Sequence, residues 1–258
     1  GFMLLVVVYW HGAELFLIDP AVMELTVWQA VAISAASLAF GWIVYNLLCK
    51  LLLTFDMAIL MFALFGVIVG MALFYTSVFS GRAALLHLGA FTATIMTGNV
   101  FFVIMPNQRV VVADLKAGRK PDPKYGKIAK QRSTHNNYLT LPVIFLMLSN
   151  HYPLAFGAEH AWAIAALVFL MGVTIRHFFN TMHQKKGRLW WTWVLTALIM
   201  TAIIWLSWPS GYTYEEETAL SPMGERYAAA QGFDHVTDIV LSRCSMCHAA
   251  APAWGGIV

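Results

Sequence analysis

The stretch MAILMFALFGVIVGMALFYTSVF, residues 57–79, decides the fold class. Its 23 residues include no Asp, Glu, Lys or Arg, and about 20 apolar residues in a helix are enough to cross a bilayer. The rest of the chain is similar, since 60% of its 258 residues are hydrophobic and only 11% are charged. Soluble domains carry roughly 25% charged residues. The sequence therefore predicts an all-α, polytopic membrane helix bundle with the lipid bilayer as a partner, and no nucleic-acid partner is expected.

Other apolar runs predict about seven spans, the first of them truncated. The complete spans are predicted at residues 28–49, 57–79, 83–105, 137–152, 162–180 and 189–208, and the incomplete one at residues 1–11. The span at 137–152 is short and contains Pro142, so a re-entrant or broken helix is the alternative there. Because the chain begins inside an apolar run without a signal sequence, we expect it to be a fragment at its N-terminus.

The distribution of basic residues predicts how these spans are oriented. The loop at residues 106–135 contains eight Lys and Arg residues against Asp114 and Asp122, for a net charge of +6. Loops rich in Lys and Arg face the cytoplasm. This loop is therefore predicted to be cytoplasmic, and the chain after residue 208 is predicted to lie outside the membrane, in the periplasm or the extracellular space.

The sequence RCSMCH, residues 243–248, predicts a c-type haem. Two cysteines separated by two residues and followed directly by histidine are the attachment motif for this cofactor. Cys244 and Cys247 are predicted to bind the haem covalently, and His248 is predicted to ligate its iron. A redox dithiol, a structural disulfide and half of a zinc site are the alternatives. A distal iron ligand is expected beyond Val258, so this domain is predicted to be truncated.

Three segments are predicted along the chain. Residues 1–208 form the transmembrane helical domain, residues 209–220 a polar linker, and residues 221–258 the start of a cytochrome c-like helical domain. A predicted helix that leads into the CxxCH motif supports the last assignment.

His87 lies within a predicted membrane span, where an ionisable side chain is a functional candidate. A metal site, a b-type haem and a proton relay are the functional interpretations, and a hydrogen bond between helices is the alternative. An additional haem b or metal in the membrane domain, with His87 as a ligand, is therefore the second cofactor hypothesis.

Two polar motifs, MPNQR at 105–109 and QRSTHNNY at 131–138, flank the basic loop. Arg provides a planar fork for an anion, and Asn and Gln provide paired donors and acceptors. This combination suits a flat, anionic heterocycle, whereas contact with anionic lipid is the alternative. Arg132 belongs to the second motif, but Arg109 and His135 are the predicted catalytic residues. The predicted substrate-binding residues are Asn107, Gln108, Arg109, Asn136 and Asn137.

Several long motifs resemble a known family. They are FSGRAALLHLGAF (79–91), NVFFVIMPNQR (99–109), KQRSTHNNYLTLPVIFLMLSNHYP (130–153) and IRHFFN (175–180), followed by the CxxCH motif. Together they resemble the bacterial membrane-bound, cytochrome c-linked urate oxidases, also called urate hydroxylases. The resemblance covers essentially the whole chain. It implies the architecture of that family, an eight-helix membrane domain followed by a C-terminal cytochrome c.

The resemblance implies that urate is oxidised to 5-hydroxyisourate. It further implies that electrons leave through haem c to an acceptor of the respiratory chain, rather than forming hydrogen peroxide. The implied location is the bacterial inner membrane, with a periplasmic haem domain. The residues alone indicate only an integral membrane protein with a c-type haem outside the membrane. A non-catalytic membrane cytochrome subunit of a respiratory complex and a transporter with a redox gate are the alternatives.

Overall fold

In a computed structural model, the described residues form helices and their connections. The structure describes residue 3, residues 5–51 and 57–208, and six isolated positions between 230 and 239. No strand occurs in these residues, which confirms the all-α prediction for them. The predicted linker lies outside the described residues, as does most of the predicted cytochrome segment, including Cys244, Cys247 and His248.

Seven longer helices of the described residues are labelled here α1 to α7. They are α1 (Val27–Leu51), α2 (Met57–Val78), α3 (Gly81–Gly98), α4 (Met105–Lys116), α5 (Pro123–Leu148), α6 (Ala161–His183) and α7 (Trp191–Leu206). A π-helical segment, Asn99–Ile104, joins α3 to α4. Shorter elements are a π-helical Leu5–Trp10, the helices Ala13–Phe16 and Pro153–Phe156, and a 3-10 turn at Ser149–His151. All seven longer helices belong to one compact unit that ends at Leu206.

Four helical stretches of the described residues are long and apolar enough to cross a membrane. They are Val27–Leu51, Ile59–Val78, Gly81–Lys116 and Ala161–His183, while the apolar α7 is shorter. These four stretches agree with four predicted spans and are compatible with a membrane protein. The other spans of the predicted seven are not among these four stretches.

The region predicted as a cytoplasmic loop, residues 106–135, is largely helical. The helix α4 extends to Lys116, and Gly118 then adopts the left-handed conformation (φ 69°) that turns the chain. The helix α5 already starts at Pro123, where the Asp122 carboxylate accepts a 2.9 Å hydrogen bond from the backbone N–H of Lys124. That hydrogen bond holds the pKa of Asp122 below its ordinary value. Apolar runs alone could not predict this start, because the first half of α5 is polar.

The helix α5 occupies the centre of the bundle, where it contacts α3, α4 and α6. It is continuous through Pro142 and ends at Leu148, where the 3-10 turn Ser149–His151 follows within the predicted span 137–152. At Pro142 the helix α6 approaches very closely, since a Cβ added to Gly172 would lie 2.5 Å from the Pro142 ring. A glycine in α6 is therefore required for this contact.

Candidate functional site

The polar residues of α5 lie on two different faces of the helix. With 3.6 residues per turn, positions 132, 135 and 136 share one face, and positions 133 and 137 share another. Arg132 and His135 are buried on the first face. Ser133 and Asn137 line an open pocket on the second. The residues predicted from the QRSTHNNY motif as one site are thus divided between two places.

On the buried face, Arg132 joins three helical segments. Its Nη2 donates a 2.8 Å hydrogen bond to Oδ1 of Asn46 in α1. Its Nη1 donates a 3.2 Å hydrogen bond to Oδ1 of Asn99, the first residue of the π-helical segment. Its guanidinium carbon lies 4.9 Å from the centre of the Tyr45 ring. We call this group the Arg132 cluster, and its members are Arg132, Asn46, Asn99, Tyr45, His135 and Asn136.

The charge of Arg132 has no carboxylate partner in the described part of the chain. The ion pairs there join Asp114 to Arg119 and Asp122 to Lys124. The Arg132 side chain is nevertheless only 4% exposed, and its Nε has no hydrogen-bond partner. Burial of a charge with only neutral partners is energetically costly. Among the described residues no carboxylate compensates the charge of Arg132, and a bound anion would reduce the cost of burying it.

His135 and Asn136 are held firmly within this cluster. The Nδ1 atom of His135 and the Tyr45 hydroxyl share a 2.7 Å hydrogen bond, and His135 is fully buried. The Asn136 amide accepts from Asn99 at 2.9 Å and donates to the Met96 carbonyl at 2.9 Å. Both predicted site residues thus lie beside the buried charge. The amide of Asn136 is occupied by contacts that position Asn99.

Another unpartnered donor borders the cluster. The indole of Trp42 packs so closely on Gly98 that an added Cβ would lie about 2 Å from it. The Nε1 atom of Trp42 is buried and has no hydrogen-bond partner. Gly98 directly precedes Asn99 and the π-helical segment, and π-helical turns occur frequently at functional sites.

The other face of α5 borders a surface pocket of about 640 Å³ between α4, α5 and α6. We call it the amide pocket, because amide side chains dominate its polar lining. The Asn137 amide in its wall accepts a 2.8 Å hydrogen bond from Nε of Arg176. Its polar lining residues include Gln108, Lys130, Ser133, Asn137, Asn180 and Gln184.

The side chains of the MPNQR motif also lie at different places. Gln108 lines the amide pocket. Arg109 is exposed and lines a different recess, of about 390 Å³, on the surface of α4. The Asn107 amide donates to the carbonyl of Val103, in the adjoining π-helical segment, at 2.7 Å. Arg109, the predicted anion-binding residue, therefore does not join His135 and Asn136.

His87 belongs to a separate hydrogen-bonded chain. Trp10 Nε1 donates to Ser34 Oγ at 2.8 Å, and Ser34 Oγ lies 2.8 Å from His87 Nε2. His87 Nδ1 donates to the Ala83 carbonyl at 2.8 Å. Both ring nitrogens are thus engaged, and the ring contacts Tyr9, Tyr75 and Phe79. The bond to Ser34 is a hydrogen bond between helices, as in the alternative that the sequence offered for His87.

Residues that complete the Arg132 cluster were not predicted from the sequence. Asn46, Asn99 and Tyr45 lie in apolar helices distant in sequence from α5. A polar amide within an apolar span is itself a signal for a functional or packing role, so Asn46 and Asn99 could have been found. In the part of the chain that the structure describes, no group of three or more His, Cys, Asp or Glu side chains could hold a metal.

Comparison with known proteins identifies one family. The family model described as Urate oxidase N-terminal matches residues 1–207. No curated protein and no solved structure matches the chain.

Proposed function

The chain belongs to the urate oxidase N-terminal family, and on that premise we propose that it oxidises urate to 5-hydroxyisourate in a bacterial membrane and passes the electrons to a c-type haem. The observation that carries the proposal is the family match, which covers residues 1–207. The apolar helices support a membrane location, since four helical stretches of the described residues are long enough to cross a bilayer.

The chemistry of the reaction explains why an electron acceptor accompanies the membrane domain. Conversion of urate to 5-hydroxyisourate adds the oxygen of a water molecule to C5 of the purine and releases two protons and an electron pair. The CxxCH motif has the donor set of a covalent haem, with thioethers at Cys244 and Cys247 and an iron ligand at His248. When bound there, the haem would supply a one-electron acceptor, so the electron pair would pass through it to the respiratory chain in two successive steps.

We assign the chemistry to the Arg132 cluster rather than to the amide pocket. The cluster is shielded from bulk solvent, because His135 is fully buried and Arg132 is 4% exposed. Charges interact more strongly in such a shielded, prearranged site. The amide pocket is open to the surface and offers no comparable enclosure.

His135 is the proposed proton acceptor. The proton is accepted by its imidazole ring, whose Nδ1 shares a 2.7 Å hydrogen bond with the Tyr45 hydroxyl. Tyr45 holds the ring in place, and burial, followed by the like charge of the neighbouring guanidinium, favours the neutral imidazole. Arg132 and Tyr45 thereby keep His135 in the form that a general base requires.

An assay of membranes that contain the full-length protein tests the proposal. Urate should reduce the c-type haem, seen in its visible spectrum, and 5-hydroxyisourate should form without stoichiometric hydrogen peroxide. Urate consumption with equimolar peroxide, or no response of the haem to urate, would rule the proposal out. Haem reduction by a quinol but not by urate would favour a non-catalytic cytochrome subunit.

A further inference from the structure

We propose that Arg132 and Trp42 recognise the substrate anion, Arg132 by pairing with its negative charge and Trp42 by donating a hydrogen bond to one of its oxygens. This inference rests on the proposed function, because urate is the ligand that the function supplies. The buried Arg132, rather than the exposed Arg109, then binds the anion.

Unpartnered donors are the first observation behind this assignment. Only three buried side-chain nitrogen or oxygen atoms of the described residues lack a hydrogen-bond partner, and they are Trp42 Nε1, Arg132 Nε and Asn150 Oδ1. Buried polar groups in native proteins nearly always have partners, so each exception requires an explanation. The first two atoms are N–H donors, and a ligand with acceptor atoms would satisfy both.

The position of these two donors is the second observation. Trp42 packs on Gly98, and Arg132 donates to Asn99, the next residue along the chain. Trp42 also lies one helical turn before Asn46, the other acceptor of Arg132, so both face the same side of α1. The two donors therefore border the same short segment, where α3 passes into the π-helical turn.

The charge of the cluster defines the class of ligand. Arg132 contacts the neutral oxygens of two amides and the face of the Tyr45 ring, and no carboxylate of the described residues neutralises it. A guanidinium binds planar anionic groups through adjacent N–H donors. The matching ligand is a flat monoanion with several carbonyl oxygens, and urate at neutral pH has these properties.

Equilibrium binding of urate to the purified full-length protein, without an electron acceptor, tests the inference. Trp42→Phe removes the indole donor but keeps an aromatic ring, so the Kd for urate should rise about 3- to 10-fold. Arg132→Gln removes a charge-assisted contact, so the Kd should rise about 10- to 150-fold. Arg132→Lys keeps the charge but loses the planar fork, and its Kd should lie between those of the wild type and Arg132→Gln.

Two matched controls lie on the same helices. Trp28→Phe changes an indole of α1 that is 82% exposed, and Lys127→Gln removes an exposed charge from α5. Both variants should bind urate like the wild type. Thermal denaturation in detergent provides a second measurement, because a purely structural Arg132 would lower the Tm of Arg132→Lys and leave its Kd unchanged.

Wild-type Kd values for both Trp42→Phe and Arg132→Lys would overturn the inference while the proposed function stands. These two conservative variants test whether Trp42 and Arg132 bind urate even if Arg132→Gln fails to accumulate in membranes. If the wild-type protein neither binds nor oxidises urate, the proposed function itself fails. The two failures are therefore distinguishable.

Discussion

The Nη2 atom of Arg132 donates a 2.8 Å hydrogen bond to Oδ1 of Asn46, so a buried charge connects α5 to α1 through a neutral amide. A carboxylate at position 46 would form an ion pair with the same guanidinium. The amide orients Arg132, and no carboxylate in the described part of the chain pairs with its charge. This combination is expected of a site that binds an anion. A substitution at Asn46 can test whether it does.

Asn46→Asp should neutralise Arg132 from within the protein. We expect the Tm in detergent to stay constant or rise, because a buried cation gains a charged acceptor, while the KM for urate rises at least about tenfold. Steady-state oxidation of urate and thermal denaturation measure the two effects. Gln184→Glu introduces the same charge into the amide pocket, so a high KM in that variant and a normal KM in Asn46→Asp would show that urate binds in the pocket.

His135→Gln should remove the proton acceptor. We expect kcat for urate to fall about 10²- to 10⁴-fold, the usual contribution of general base catalysis, with a much smaller change in urate Kd. Urate-dependent haem reduction measures the rate. His151 is exposed, so His151→Gln is the matched control and should turn over like the wild type. Normal turnover in His135→Gln would remove His135 from the mechanism.

Gly172→Ala should weaken the packing of α6 on α5. The new methyl group would lie 2.5 Å from the Pro142 ring, and overpacking of this kind costs about 1–3 kcal/mol of stability. Thermal denaturation in detergent should show a lower Tm. Gly70→Ala in α2 is the control, because no atom outside the adjacent residues and backbone of its own helix lies within 4 Å of the added Cβ. Equal Tm values for the two variants would contradict the close contact between α5 and α6.

Cys244→Ala combined with Cys247→Ala should abolish covalent attachment of haem in the full-length protein. Thioether bonds to these two side chains are the proposed attachment. Peroxidase staining of a denaturing gel detects covalently bound haem. Cys49→Ala is the control, since Cys49 is a buried free thiol. Haem that stays attached in the double variant would disprove the assignment of the motif.

The helices could be predicted where the sequence is apolar throughout. The charge-free run at 57–79 predicted α2 almost to its ends, and α1 and α6 also begin and end within a few residues of the predicted spans. The start of α5 was missed by 14 residues because its first half is polar, and a capping Asp122 followed by Pro123 was the available signal.

The candidate site could be predicted only in part. The QRSTHNNY motif identified His135 and Asn136, and its position in α5 was enough to separate residues 132, 135 and 136 from 133 and 137 by helical phase. The choice of Arg109 over Arg132 depended on proximity in sequence. The contacts of Arg132 with Asn46 and Asn99 depend on how three helices pack, which a single sequence does not specify.

Anaerobic reduction of the haem by urate tests the proposed electron path most directly. Purified full-length protein with oxidised haem is mixed with urate, and the haem spectrum and the purine products are followed together. We predict that urate reduces the haem without oxygen and that one 5-hydroxyisourate forms for every two haems reduced, because the reaction releases an electron pair and each haem accepts one electron. Haem that stays oxidised, with urate consumed only when oxygen is admitted and peroxide then formed, would contradict this prediction.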